Sequence, residues 1–501
     1  MRKYIIYFSL LLFTFFQSCK KGFLDINQNP NTVTESKITA DLILPNAIHG
    51  TGTLAYKDLS WLANWIGYWS PSGSYAPNTE ESTYNITTSF HQGFRWTAFY
   101  DVLFDLENAE EKAKTAGQPY YQAMSMILKA QLYQTLVDTY GNVPYSEAFK
   151  TSIATPKYDK AQDIYNNLQV KLDSGILLIK NITVPSSSPI ANVDIIYHGD
   201  AAKWVRLANT LKLRLLIRQS EISGFSPAAE LTKIQATGGV LQSGESAAAN
   251  LAYTNDVNKQ SPFYGDFGFD PSGNNANEVE RANNYALGIL KSTTDPRLGY
   301  FFRPAVAPLN PADPYIGTTY GDPPNNTFEG TKTSNIGAGL AFAYNQPQWI
   351  VTSIEALFLK AEAVARGWLP GNAQLAYEEA VRESFIWLKI PNATSTANNY
   401  LSTVPIANWA NAGTSTESRI KFIINQKYIA LIGINSMEAW SDYRRLGVPS
   451  NLPISTNPAR VGNTIPVRLL YTAIEQAVNG TNVSEQGSIN PFTSKIFWDF
   501  Q

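Results

Sequence analysis

Trp61, Trp65 and Trp69 recur every fourth residue in the segment WLANWIGYWSPSGSY, with Tyr68 and Tyr75 beside them. A second cluster, Phe263, Tyr264, Phe267 and Phe269, is interleaved with Gly265, Asp266, Gly268 and Asp270, and Tyr315 and Tyr320 lie in a proline-rich run. Flat rings of this kind cover apolar faces such as the CH face of a sugar, while the edges of Trp and Tyr tolerate water. Rigid rings also lose little entropy on binding. The four-residue spacing stacks the three tryptophans on one helix face, which for Trp61 and Trp65 reads as core packing. Trp69 comes just before the break Ser70-Pro71-Ser72-Gly73. Trp69 and Tyr75 are therefore expected to project from a loop as ligand contacts. Tyr264, Phe267, Tyr315 and Tyr320 are the remaining candidates, with the alternative that these rings anchor their loops to a scaffold.

Other chemistries lack the residues they need. Cys19 is the single cysteine, so disulfides, four-cysteine zinc sites and a cysteine nucleophile in the folded body are excluded. His49, His91 and His198 are scattered, with no spacing that puts two imidazoles on one helix face. Asp266 and Asp270 could hold calcium, but DFGFD lacks the oxygen-rich spacing of a calcium loop. Glu80-Glu81 and Glu378-Glu379 are adjacent pairs. Helical neighbours point about 100° apart, so adjacency does not build the two carboxylates, about 5 to 9.5 Å apart, that glycoside hydrolysis requires. The chain has no GxSxG elbow, P-loop or dinucleotide fingerprint in strand and helix context. No catalytic residue, metal or cofactor is expected. Trp440, Asp442, Arg444 and Arg445 resemble an active-site constellation, yet they follow a strongly apolar helix, where Arg and Asp knit turns by bidentate pairing.

Positioning such residues falls to a helical framework. With 501 residues, two or three lobes or a repeat array are needed, and 44% hydrophobic with 16% charged residues fits a packed globule. Lys plus Arg is 39 against 41 for Asp plus Glu, without basic blocks, so no nucleic-acid partner is implied. Tyr121, Met124, Leu128, Leu132 and Leu136 follow helical spacing up to Gly141 and Pro144. Trp204, Leu207, Ala208, Leu211 and Leu215 repeat it behind Asp200, a plausible N-cap. Thr352 and Glu355 make a capping-box pattern ahead of a helix that breaks at Gly367, Pro370 and Gly371 before a return helix. This pair, over 352–389, resembles a tetratricopeptide unit, and looser pairs fit 95–140 and 158–220. Residues 241–350 lose periodicity and accumulate Gly, Pro, Asn and aromatics. So long an insert is expected to be functional or packed on the scaffold. Another buried helix restarts at Ile420, Ile423, Ile424 and Tyr428.

At the amino terminus, Arg2 and Lys3 precede an apolar run over 4–16, shorter than the roughly 20 residues of a spanning helix. It ends in Phe16-Gln17-Ser18-Cys19, which resembles a bacterial lipobox. The expectation is a signal peptide over 1–18, lipidation of Cys19 and a polar tether over 19–38. Each buried acyl CH₂ contributes about 0.8 kcal/mol, so two or three chains hold a protein at a membrane that one would hold only marginally.

Several separated segments together resemble the SusD/RagB family, surface lipoproteins of Bacteroidota that capture nutrients. They are the lipobox with FLDINQNP (23–30), DTYGNVPYSEA (138–148), DPRL (295–298) and EALFLKAEAVARG (355–367). INQKYIALIGINSMEAWSDYRRLGVP (424–449), IPVRLLYTAIEQAVN (465–479) and KIFWD (495–499) complete the series. The YGNVPY turn points to the SusD-like branch. The resemblance implies a mainly α-helical SusD-like fold with four tetratricopeptide-like helix pairs. Its domain would cover 39–501, with the helical scaffold over 39–240 and 351–445, the loop-rich binding lobe over 241–350 and a C-terminal segment over 446–501. It further implies a non-enzymatic lid on a SusC-like TonB-dependent barrel of the cell outer membrane, trapping oligosaccharides or peptides. Surface export in this group often relies on acidic residues just after the acylated cysteine, whereas here Lys20 and Lys21 follow it and Asp25 comes late. Two other readings are a lipid-anchored tetratricopeptide-like adaptor for other proteins and a lipoprotein glycoside hydrolase.

Overall fold

Helices form where periodicity and caps agree. In the computed structural model, residues 37–57, 60–185 and 187–500 are described. Cys19, the signal segment 1–18 and all but the last two residues of the 19–38 tether lie outside them. Among the described residues no helix is long and apolar enough to cross a membrane.

The first elements are α1 (Ala40–Leu54), α2 (Ser60–Trp65), β1 (Trp69–Pro71) and the short α3 (Thr79–Thr83). Two long helices follow, α4 (Phe94–Thr115) and α5 (Pro119–Tyr140). Pro119 starts α5 where its missing NH costs no bond, and Gly141, at φ +80°, lets the chain turn away. The turn pairs β2 (Val143–Pro144) with β3 (Tyr158–Asp159) antiparallel, and the chain re-enters the array as α6 (Ala161–Ile179) and α7 (Ala201–Arg218). Asp200 caps α7, its Oδ1 accepting the Lys203 NH at 3.1 Å. After α8 (Ala228–Ala236) come β4 (Ala247–Ala249), α9 (Pro262–Phe267), β5 (Glu280–Ala282), α10 (Asn284–Ser292) and β6 (Gln348–Val351). The chain then resumes long helices: α11 (Ser353–Ala365), α12 (Ala373–Trp387), α13 (Ala393–Thr403), α14 (Thr416–Ala430) and α15 (Ser436–Leu446).

Packing follows chain order. α1 lies on α4, α4 on α5, α5 on α6 and α6 on α7; α7 meets α11, which pairs with α12, while α13 packs on α12 and α14 on both α11 and α12. Short connections such as 116–118 force neighbours antiparallel. One apolar core runs through the array from Leu44 and Ile48 of α1 to Ile423 and Ile429 of α14. Trp61 and Trp65 belong to it, edge to face at 4.7 Å.

Two expectations are corrected. The stacked tryptophan face ends at Trp65, because Gly67 turns the chain at φ +72° and Trp69 enters a strand. The 241–350 stretch, read as aperiodic, holds α9, α10 and short strands: β4 pairs antiparallel with β6 at its end, and β5 pairs antiparallel with β1, which lies outside the stretch. Ala286, Leu287 and Leu290 give α10 its buried face, and Asn283 caps it by accepting the Tyr285 NH at 2.9 Å.

Buried ion pairs tie distant segments. Arg218 pairs with Glu438, at 3.2 Å from Nη1 to Oε2, and with Asp138 at 3.3 Å. Lys427 bridges Glu438 and Asp442 at 3.2 and 2.8 Å, and Arg445 pairs with Glu362 at 2.6 and 2.8 Å and with Asp442 at 2.9 Å. Arg444 lies 3.5 Å over the Trp440 ring. The Trp440, Asp442, Arg444, Arg445 cluster is thus a structural knot. Burial alone would raise the Glu362 carboxyl, yet the Arg445 and Arg366 guanidiniums pull it down to about 2. In DPRL, Asp295 grips Arg297 at 3.0 and 2.7 Å, both groups buried.

Candidate functional site

A cleft opens where β1 leaves the core. The ladder pairs Trp69 with Ala282, Ser70 with Arg281 and Pro71 with Glu280. Beyond it, the Ser72 NH donates to the Val279 carbonyl at 2.8 Å, and the Gly73 NH to the Phe328 carbonyl at 2.7 Å. Asn325 donates back to the Gly73 carbonyl at 2.9 Å, so the 72–73 backbone is clasped between β5 and the 325–328 turn. Only glycine fits there, since a Cβ at position 73 would stand 2.1 Å from the Asn325 carbonyl oxygen. Arg281, 1% exposed, fastens the turn from behind through the Gly330 carbonyl at 3.2 Å and Glu278 at 3.0 Å.

The resulting cleft has a volume of about 770 Å³, and Tyr75, Phe328, Asn284, Thr319, Asp322 and Asn325 are among the residues that line it. That size suits a small oligomeric ligand. Tyr75 is 40% exposed and Phe328 half-buried, so both rings have free area to offer. Polar groups are held around them: the Asn284 amide donates to Thr319 Oγ1 at 3.0 Å, and Asp322 Oδ1 accepts the Thr456 hydroxyl at 2.6 Å. A two-ring wall with amide, hydroxyl and carboxylate partners can stack on an apolar face and hydrogen-bond the hydroxyls at its edge.

Of the six candidate rings, Tyr75 alone lines this cleft. Trp69 does not project from a loop. It is 4% exposed, 4.9 Å from Phe267, on the core side of β1. Phe267, 7% exposed, packs against Phe263 at 4.9 Å, and Tyr320, 4% exposed, turns its ring inward while its carbonyl accepts the Thr456 NH. These three correct the expectation of surface contacts, because burial removes the faces a ligand would cover. Tyr264 and Tyr315 are half-buried against the core and outside the cleft lining. Phe328, Asn284, Thr319, Asp322 and Asn325 were not anticipated; for Asp322, Asn325 and Phe328 the clue was the run GDPPNNTF (321–328), dense in turn residues and hydrogen-bonding side chains beside one ring, while nothing local marks Asn284 or Thr319.

A second groove of about 490 Å³ lies between α1 and the 251–266 segment, with His49, Lys57, Tyr253 and Asp266 on its walls. His49 Nδ1 and the Tyr253 hydroxyl are 3.1 Å apart, and burial lowers the imidazole below its usual range. Asp266 is engaged, accepting the Tyr56 hydroxyl at 3.0 Å. Among the described residues no cluster of His, Cys, Asp or Glu is arranged to hold a metal ion.

A SusD-like family model, described as "Starch-binding associating with outer membrane", matches residues 30–472. A chitin-binding protein of known structure is similar with a TM-score of 0.70 at 26% identity, over 92% of this chain and 100% of that one. A chitin-binding SusD homolog from Flavobacterium johnsoniae gives 0.72 at 25% identity, over 91% and 98%. A SusD/RagB family protein from Bacteroides thetaiotaomicron gives 0.74 at 22% identity, over 93% and 100%. No curated protein matches the sequence. Matched along most of its length and sharing the mainly α-helical SusD-like fold, the chain belongs to the SusD/RagB family.

Proposed function

We propose that the protein binds an oligosaccharide in the Tyr75 and Phe328 cleft at the outer membrane and passes it, uncut, to a SusC-like TonB-dependent barrel. The observation that carries this reading is the open cleft of about 770 Å³ with an exposed tyrosine and a ring of hydrogen-bonding side chains. Two relatives of known structure at 26% and 25% identity are named as chitin-binding, which favours a glycan over a peptide. The cleft lining contributes one carboxylate, Asp322, where glycoside hydrolysis works with two. Acylation at Cys19 would tether the body, and a tethered binder raises the local ligand concentration at a neighbouring channel mouth.

Calorimetric titration with chitin and α-glucan oligomers, and with peptides of similar length, tests the reading. Tyr75→Ala combined with Phe328→Ala is expected to weaken glycan binding about tenfold, about 1.4 kcal/mol, with the far-ultraviolet helical signal unchanged. Uptake of the same oligomer by cells carrying that variant should slow in parallel. Peptide binding without glycan binding would replace the ligand class, and an unaffected double variant would reject the cleft.

A further inference from the structure

Charge at the cleft is lopsided. Among the residues that line it, Asp322 is the single charged side chain, and no Lys, Arg or His shares the wall. Asp322 is exposed, and its Oδ1 is oriented by the Thr456 hydroxyl. Thr456 is itself fixed, its NH donating to the Tyr320 carbonyl at 2.9 Å. No base among the described residues forms an ion pair with this carboxylate. Bases bonded to the neighbouring turn are committed elsewhere: Lys332 to Glu329 and to the Asn326 carbonyl, each at 3.2 Å, and Arg281 to Glu278 at 3.0 Å. Arg460 bonds the Ser455 and Asn463 oxygens at 3.3 and 3.4 Å and is not among the lining residues, so the charge on the cleft wall itself is that of Asp322.

We propose that Asp322 acts as a charge filter, so that the cleft accepts uncharged or amino-bearing sugar chains and turns away acidic ones such as uronates and sulfated glycans. The proposal rests on the glycan-binding reading above and specifies its ligand class. An exposed charge pair changes affinity by up to about fivefold, and like charges cost a comparable factor. A polymer charged on every residue always presents an anion to Asp322, so it cannot avoid that cost by sliding along the cleft.

The test compares three ligands on one backbone: the chitin hexamer, its deacetylated amine form and its 6-O-sulfated form, with the matching α-glucan set in parallel. The readout is the ratio of charged to neutral affinity. For the unaltered protein at low salt, the sulfated form is expected to bind at least threefold more weakly than the neutral one, and the amine form two- to fivefold more tightly. Both ratios should move toward one in 0.5 M salt, where screening is strong, and in Asp322→Asn. Equal affinity for sulfated and neutral forms, or a gap that survives Asp322→Asn, overturns the filter while leaving glycan binding intact. Failure of every neutral oligomer to bind would instead defeat the glycan reading, and the filter with it.

Discussion

Glu280 stands directly behind the cleft, its backbone opposite Pro71 and its side chain buried. Asn64, with its amide nitrogen turned inward, reaches Glu280 Oε2 at 3.2 Å and the Trp69 carbonyl at 3.1 Å. Burial first, and Glu81 second, push the Glu280 carboxyl up to about 8, against the opposing pull of Arg281 and Asn64. In the unfolded chain the group titrates at its ordinary value of 4.5. Because the folded value is the higher one, its favourable contribution is complete below about pH 4.5. It drains away as pH rises and is gone above about pH 8. Glu280→Gln removes that dependence. It should stabilise the protein by about 1–3 kcal/mol at pH 8.5 and hardly at all at pH 4.5, as read from denaturant melts; equal shifts at both pH values would contradict the assignment. The same scale shows why the cleft was only partly legible. Aromatic identity marks a ring for burial or for binding alike, and Trp69, Phe267 and Tyr320 went to the core. Tyr75 stood out because Pro71 and Gly73 break the chain just before it, whereas Phe328 is a single ring whose partner ring, Tyr75, comes from more than 250 positions earlier in the sequence.

At the scale of elements, local signals carried the long helices and failed for the short strands. α7, α11, α12 and α14 have side-chain caps and apolar spacing within their own sequence, and α5 has its spacing between Pro119 and Gly141. The Thr352 hydroxyl accepts the Glu355 NH at 3.2 Å as the capping-box pattern suggests. The Glu355 carboxylate, however, accepts from Arg214 at 2.6 Å and Asn435 at 2.9 Å, so tertiary pairing has taken over the second half of the motif. β1 and β5 are three residues each, with partners more than 200 positions apart, and no periodicity within either encodes the pairing. What the ladder does is hold the 72–75 segment against the 325–328 turn, with Gly73 as the closest point. Gly73→Ala is expected to push that turn outward, weakening glycan binding about tenfold or more while costing about 1–3 kcal/mol of stability. Titration and a thermal melt on the same variant check this: the clasp is not what shapes the cleft if binding survives.

Across the whole molecule, three of the segments that carry the family resemblance meet at one buried knot rather than at the cleft. Asp138 comes from the DTYGNVPY segment, Glu438 and Arg444 from the EAWSDYRRLG segment and Trp498 from KIFWD. Trp498 Nε1 donates to Asp138 Oδ1 at 3.0 Å, and Arg444 and Arg218 lie 4.7 and 5.6 Å from its ring. This explains why family and fold could be read from the sequence when the ligand could not. The recognisable motifs hold the array together, and the proposed binding cleft is assembled from loops whose side chains meet only once the array is built. Trp498 fastens the C-terminal segment across helices some 360 residues earlier, so its loss should be felt globally. Trp498→Ala leaves a large cavity and removes one of the donors to the Asp138 carboxylate, which keeps Arg218 and the Tyr165 hydroxyl, predicting a loss of about 3–5 kcal/mol. Trp498→Phe keeps most of the packing and forfeits mainly the hydrogen bond, predicting about 1–3 kcal/mol. Denaturant unfolding followed by tryptophan fluorescence and by helical signal should shift together in both variants. A change confined to the last residues, with the main midpoint unmoved, would show that the C-terminal segment is not part of the cooperative unit.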